Sequence, residues 1–352
     1  RDLHYPLRRQ RQMCIRDRAC ATLAPLYEEG RGVEQDAARA ASLYERACAT
    51  GDGNACAHLG ALLQGGKASA ERAARIPALF QKACDAGSMS GCYQLGLLVQ
   101  RGAGLPRDAA KALGLFQRAC QGKEPGACHS LGLLSREGAG VPKDYSRAAA
   151  LFQEACDGGF GAGCVDLGIA HMTGRGVARD VARTAFLYRD GCSKGDPRGC
   201  RYLGILYLEG RNLVRDYGRA HRFFREACDA EDIESCVRLA GMLEEAQGLP
   251  MDMDTALKLH HKGCDAGVAE SCYALGRQAL RGRYVPRSPQ EATARFTQAC
   301  NLGLGVACYD LAMLYQTGAG GTRDTRISKE WMKKACAAGE PRACPATPQP
   351  RR

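Results

Sequence analysis

Apolar and polar positions along this chain fall into a frame that returns every 36 residues. Counted from a cysteine as position 0, apolar residues at 0, +3, +6 and +7 share one face of an α-helix. Position +3 is Leu in all nine copies: Leu23, Leu59, Leu95, Leu131, Leu167, Leu203, Leu239, Leu275 and Leu311. Position +4 is Gly or Ala throughout, as at Gly60, Gly96, Gly132 and Ala240, small enough to let another helix come close. This stretch predicts helix A, about three turns long.

A glycine at +10 closes helix A in eight of nine copies; Ala246 replaces it in the seventh. A loop such as "GAGVPKD" follows. Asp at +16 recurs as Asp36, Asp108, Asp144, Asp180, Asp216, Asp252 and Asp324. An Asp just ahead of a second periodic run caps the orphan N–H groups of a helix start. Helix B then carries Ala at +20, Leu at +23, Phe or Tyr at +24 and Ala or Gly at +27 in most copies, and ends at the Cys of +28. A glycine three residues later, in seven of nine turns, is the expected left-handed terminator. One such hairpin cannot bury its apolar faces alone, and stacking buries them. The expected fold is all-α: a superhelical α-α solenoid of nine 36-residue helix-turn-helix repeats over residues 19–344, with 345–352 a disordered tail.

Residues 1–18 break the frame. The repeat would put a Cys at position 12, where Gln12 stands, and Cys14 is out of phase. We read this segment as disordered or non-native and the chain, which starts at Arg1, as incomplete; a missing leader then says nothing about location.

Cysteine usage changes the picture. Twenty occur, eighteen of them in nine C-x7-C pairs from "CATGDGNAC" at 48–56 to "CAAGEPRAC" at 336–344. So many paired thiols point to disulfides and an oxidising compartment. Zinc sites use shorter spacings, usually with His, so no metal and no other cofactor is expected. The net charge is +11, but residues 1–18 carry +4 of it through six Arg against Asp2 and Asp17. Without a long basic run or aromatic-basic interleaving, nucleic acid is not an expected partner. No apolar stretch reaches the roughly 18 residues of a membrane span.

The string C-x2-L-G-x5-G-x-G-V-x3-D-x3-A-x3-[FY]-x2-A-C, matched almost throughout by "LGLLSREGAGVPKDYSRAAALFQEAC" at 131–156, resembles the Sel-one-like repeat, a relative of the tetratricopeptide repeat. The C-x7-C pairs are similar to those of the Helicobacter cysteine-rich proteins, and the resemblance covers residues 20–344. It implies a secreted or periplasmic protein with a disulfide in each repeat, and penicillin binding with weak β-lactamase activity. A respiratory-chain assembly factor of the mitochondrial intermembrane space has similar repeats and gives an alternative location.

Two cysteine connectivities suit antiparallel hairpins: local pairs or within-hairpin pairs such as Cys56–Cys84. Only "PATPQPRR" follows Cys344, so local pairing alone gives it a mate, and the resemblance agrees. The expected bonds are Cys48–Cys56, Cys84–Cys92, Cys120–Cys128, Cys156–Cys164, Cys192–Cys200, Cys228–Cys236, Cys264–Cys272, Cys300–Cys308 and Cys336–Cys344, which leaves Cys20 without a mate.

A serine β-lactamase needs S-x-x-K with S-D-N and K-T-G, and none of the three occurs. H-E-x-x-H is absent, "QGGKAS" at 64–69 lacks the first Gly of a phosphate loop, and no catalytic residue is assigned. His129 and His171 read as surface or turn-packing residues. The variable +1 column offers Tyr93, His129, Arg201, Tyr273 and Tyr309 as a stripe for a protein or peptide partner, since aromatics and Arg dominate interfaces. The expected function is a non-catalytic binding scaffold, secreted or in the cell envelope, with the β-lactam hydrolase or a respiratory-chain assembly factor of the mitochondrial intermembrane space as the alternative.

Overall fold

A computed structural model describes residues 18–65, 69–210, 213–248 and 250–344. The expectations for residues 1–17 and 345–352 lie outside the described residues. Within them the chain is all-α, with eighteen α-helices, one short 3-10 turn at Pro341–Ala343 and no strand. The fold is the expected solenoid of nine helix-turn-helix repeats.

The hairpins fall into two compact units, residues 1–194 and 195–352. In the first, helix A and helix B alternate as α1 (Arg18–Glu29), α2 (Ala37–Ala49), α3 (Gly53–Gly65), α4 (Ala70–Asp85), α5 (Met89–Arg101), α6 (Ala109–Gln121), α7 (Pro125–Glu137), α8 (Tyr145–Asp157), α9 (Gly161–Thr173) and α10 (Val181–Ser193). The second holds α11 (Pro197–Glu209), α12 (Tyr217–Asp229), α13 (Ile233–Glu244), α14 (Met253–Asp265), α15 (Ala269–Arg281), α16 (Pro289–Asn301), α17 (Gly305–Thr317) and α18 (Thr325–Ala337). Inside each unit every helix packs on the one before and the one after.

Local chemistry sets the boundaries. The Asp side chain at +16 accepts a backbone N–H two or three residues on, as from Asp144 to Arg147 N at 2.9 Å. Where that Asp is missing, Ser69 and Ser288 cap α4 and α16 instead. Ser69 stands three residues early in the frame, so α4 runs to 16 residues where its counterparts have 13. Helix A starts three residues before its Cys, and helix B runs one past its own, as in α5 and α6. In every pair but Cys336–Cys344, whose second Cys follows the 3-10 turn, both cysteines therefore lie inside helices, on either side of a tight turn.

The bonds cross that turn. Eight of the expected local pairs are joined, with Cα atoms 4.4 Å apart at Cys84–Cys92 and 4.8 Å at Cys336–Cys344. Cys192 and Cys200 are disulfide-bonded as well. Within each unit a bond thus staples helix B of one hairpin to helix A of the next rather than closing a hairpin, and Cys336–Cys344 ties the end of α18 to the short 3-10 turn after it.

The small residue at +4 has a specific partner. A Cβ on Gly132 would stand 2.5 Å from Cε1 of Phe152, the +24 ring of the same hairpin. Gly60 with Phe80, Gly96 with Phe116, Gly204 with Phe224 and Gly276 with Phe296 repeat the fit. Where +4 is Ala240, the +24 place holds the smaller ring of His260. These buried rings and the Leu +3 residues make the core.

Candidate functional site

The five candidate partner contacts on helix A turn out to be engaged with the following repeat, 31 to 37 residues further on. The Tyr93 ring lies against Gly126, whose added Cβ would meet it at 2.7 Å. Burial pushes its phenol pKa up, against the opposing influence of the nearby Ser130 hydroxyl. His129 Nε2 donates to Asp166 Oδ2 at 2.9 Å, and its ring lies between Phe152 and Phe160. Arg201 pairs with Asp232 at 3.1 Å and Glu234 at 2.8 Å. The Tyr273 hydroxyl donates to Asp310 at 2.7 Å, and burial together with that bond raises its pKa to about 12. Arg342 stacks 4.4 Å above the Tyr309 ring.

These five +1 residues therefore tie one repeat to the next. His129 is buried at 9% exposure, so it cannot present itself to a partner; the next helix A covers it. Tyr93, Arg201, Tyr273 and Tyr309 stay half-buried. His171 packs its own turn, with Nδ1 3.1 Å from Ala178 O.

The open surface lies elsewhere. In the first unit a cleft of about 190 Å³ forms where α7, α8 and the middle and end of α9 meet. Its floor is Ala148, Ala149, Phe152, Ile169 and Ala170; Arg136, Asp166, Tyr145, Thr173 and Arg175 stand around it. Asp166 is almost wholly buried yet satisfied, because Arg136 Nη1 donates to it at 2.9 Å opposite His129. The turn after α9 presses on the start of α8: a Cβ on Gly176, at φ +78°, would collide with the Tyr145 carbonyl. That close approach sets Arg175 5.8 Å from the Tyr145 ring. Lys143 foremost, then Arg175 and Arg136, draw the half-buried Tyr145 phenol below its ordinary pKa.

A second cleft, of about 650 Å³, lies between α1, α2, α3 and α4, walled by Glu28, Ala37, Ala41, Ala61, Leu62 and Arg72. The two share a register. Glu28 and Arg136 are both +8, Ala37 and Tyr145 both +17, Ala41 and Ala149 both +21, and Ala61 and Ile169 both +5 of the next repeat. The same joint thus opens in two places with opposite charge at +8. Sequence reading passed over the +8 and +17 columns; the signal was their change of character from copy to copy, which the +1 column shared.

Two other constellations are packing. Ser271 Oγ lies 3.3 Å from His260 Nδ1, and His260 Nε2 3.5 Å from Glu244 Oε1, an order that suggests a nucleophile, base and acid. Ser271 is fully buried, however, and His260 fills the +24 ring place, so no substrate reaches the serine. Glu154 comes within 3.8 Å of the sulfurs of Cys120–Cys128, and Asp190 within 3.4 Å of those of Cys156–Cys164. Sulfurs in a disulfide carry no thiolate, the form that ligates metal.

The Sel1 repeat matches nine segments, at residues 18–52, 53–88, 90–123, 125–160, 161–196, 197–232, 233–268, 269–304 and 305–340. The chain belongs to the Sel1 repeat family. Sel1 repeat proteins are in general protein-interaction scaffolds. The structure is similar to a protective antigen of uropathogenic Escherichia coli that displays an SLR fold, at TM-score 0.62 and 23% identity, covering 94% of this chain and 79% of that one. It is similar as well to a Sel1 repeat protein of Oxalobacter formigenes, at TM-score 0.60 and 22% identity over 86% and 87% of the two chains. Cysteine rich protein B of Helicobacter pylori matches at 24% identity and TM-score 0.31, over 38% of this chain and 98% of that one. No curated protein matches the chain in sequence. Among the described residues, no helix of this Sel1 repeat protein is long and apolar enough to cross a membrane.

Proposed function

We propose that this Sel1 repeat protein is a non-catalytic scaffold that binds proteins or peptides outside the cytoplasm, secreted or in the cell envelope. The observation that carries the reading is the cleft that recurs in one register with its lining changed. A conserved shape with varied chemistry is how a repeat array contacts an extended partner along several hairpins. The disulfides support an oxidising setting. Tyr93, Arg201, Tyr273 and Tyr309 flank the joints as further contacts through their exposed edges.

A photo-crosslinking amino acid at Thr173, in the cleft, and at exposed Arg287, which lines neither cleft, tests this. With envelope extract, the Thr173 probe should capture a discrete partner that the Arg287 probe does not. Equal capture from both positions would count against a binding face. Purified protein should leave nitrocefin intact; steady turnover would return the β-lactam hydrolase.

A further inference from the structure

The α7–α8–α9 cleft is unlike any other joint of the chain. Only here does Arg stand at +8, Tyr at +17 and Arg at +11 of the next repeat; the corresponding triplets are Glu28, Ala37 and Lys67 in the first repeat and Leu208, Tyr217 and Gln247 in the sixth. Its polar groups are not equivalent. Arg136 is committed to buried Asp166, so that pair is close to neutral and forms a fixed wall. Arg175 is exposed and has no carboxylate within ion-pair distance among the described residues. Lys143 stands 5.2 Å from the Tyr145 ring at the same mouth. Beneath them the floor is apolar. An apolar cavity of about 150 Å³ takes a benzene ring, so about 190 Å³ has room for one aliphatic or aromatic side chain.

Resting on the scaffold reading, we propose that this cleft binds an acidic peptide segment. One Leu- or Phe-sized side chain fills the floor between Ala148, Ala149 and Ile169, and a neighbouring Asp or Glu of the peptide pairs with Arg175, beside Lys143. The Tyr145 phenol, drawn down by three cations, reports the positive potential that such a carboxylate would meet. The cleft between α1 and α4 does not fit this ligand, because Glu28 stands where Arg136 does.

The test uses the full chain and three labelled peptides in fluorescence anisotropy: Ac-DELEDG, the same peptide with Ser for Leu, and Ac-KRLKRG. The acidic Leu peptide should bind best, more weakly as salt rises. Arg175→Gln should weaken it about three- to tenfold. Thr173→Trp, at an exposed position on the rim, should block it, and Arg287→Gln should leave it unchanged. Loss of binding on Leu→Ser would place the apolar side chain in the floor. Equal affinity for the basic peptide, no binding of the acidic one, or indifference to both Arg175→Gln and Thr173→Trp would overturn the proposal. If the Thr173 crosslinker still captures a partner in that case, the scaffold reading stands and only the ligand chemistry falls. Circular dichroism of each variant confirms the fold.

Discussion

At the scale of single residues, Gly132 shows which of two opposed effects wins. Alanine favours a helix over glycine by about 1 kcal/mol, but a Cβ here meets Phe152 at 2.5 Å. Overpacking of that kind costs about 1–3 kcal/mol. Gly132→Ala should therefore destabilise the protein in urea denaturation, yet stabilise it when Phe152→Leu has cleared the space. A stabilising effect in both backgrounds would mean that the ring moves freely. Glu244 offers a second test. His260, with Nε2 3.5 Å away, holds its carboxyl below the usual carboxylate range by close contact and charge, outweighing burial. A depressed pKa stabilises the fold above the ordinary value near 4.5 and loses that contribution as pH falls through the folded value. The stability gap between wild type and Glu244→Gln should thus be present at pH 6 and close toward pH 3. A gap independent of pH would assign Glu244 a packing role alone.

At the scale of helices and turns, the termini that depart from the repeat are the weak ones. Helix A ends on a left-handed residue, Gly in six of the described caps, as at Gly138 with φ +77°. Ala246 holds that conformation at φ +54° without glycine's freedom. A left-handed L-residue costs about 1–2 kcal/mol, so Ala246→Gly should raise stability by about 1 kcal/mol. Its thermal midpoint relative to wild type decides this. Lys123 and Glu231, at φ +63° and +64°, occupy the same position of the other turn and sit in the two copies that lack its glycine.

At the scale of the whole molecule, the disulfides act on the joints. The chain-entropy relation gives about 2.6 kcal/mol for a nine-residue loop. Each repeat touches mainly its neighbours, so the loss of one bond stays local. Replacing Cys120 and Cys128 by Ala should lower hydrogen-exchange protection in α6 and α7 and leave that of α2 unchanged. Full reduction should melt the chain at far lower temperature and less cooperatively. Identical melting with and without reductant would show that the joints hold by packing alone.

Much of this was legible beforehand. Periodicity located the helices because apolar residues at helical spacing have one stable way to be buried. Asp36, Asp144 and their counterparts marked helix starts, since capping is a contact within a few residues of chain. Gly138 and Gly174 marked helix ends for the same reason. Local cysteine pairing was legible in the nine C-x7-C copies together with the family resemblance. The tertiary structure decided what covers each column. Nothing in the frame says that His129 lies beneath the next helix on Asp166, or that Arg136 answers the same carboxylate. A period fixes which residues share a column, but exposure depends on how the following repeat, some 36 residues on, lies across it. The clefts arise from that same packing, since their walls come from three or four helices of two repeats and no single stretch of sequence contains them.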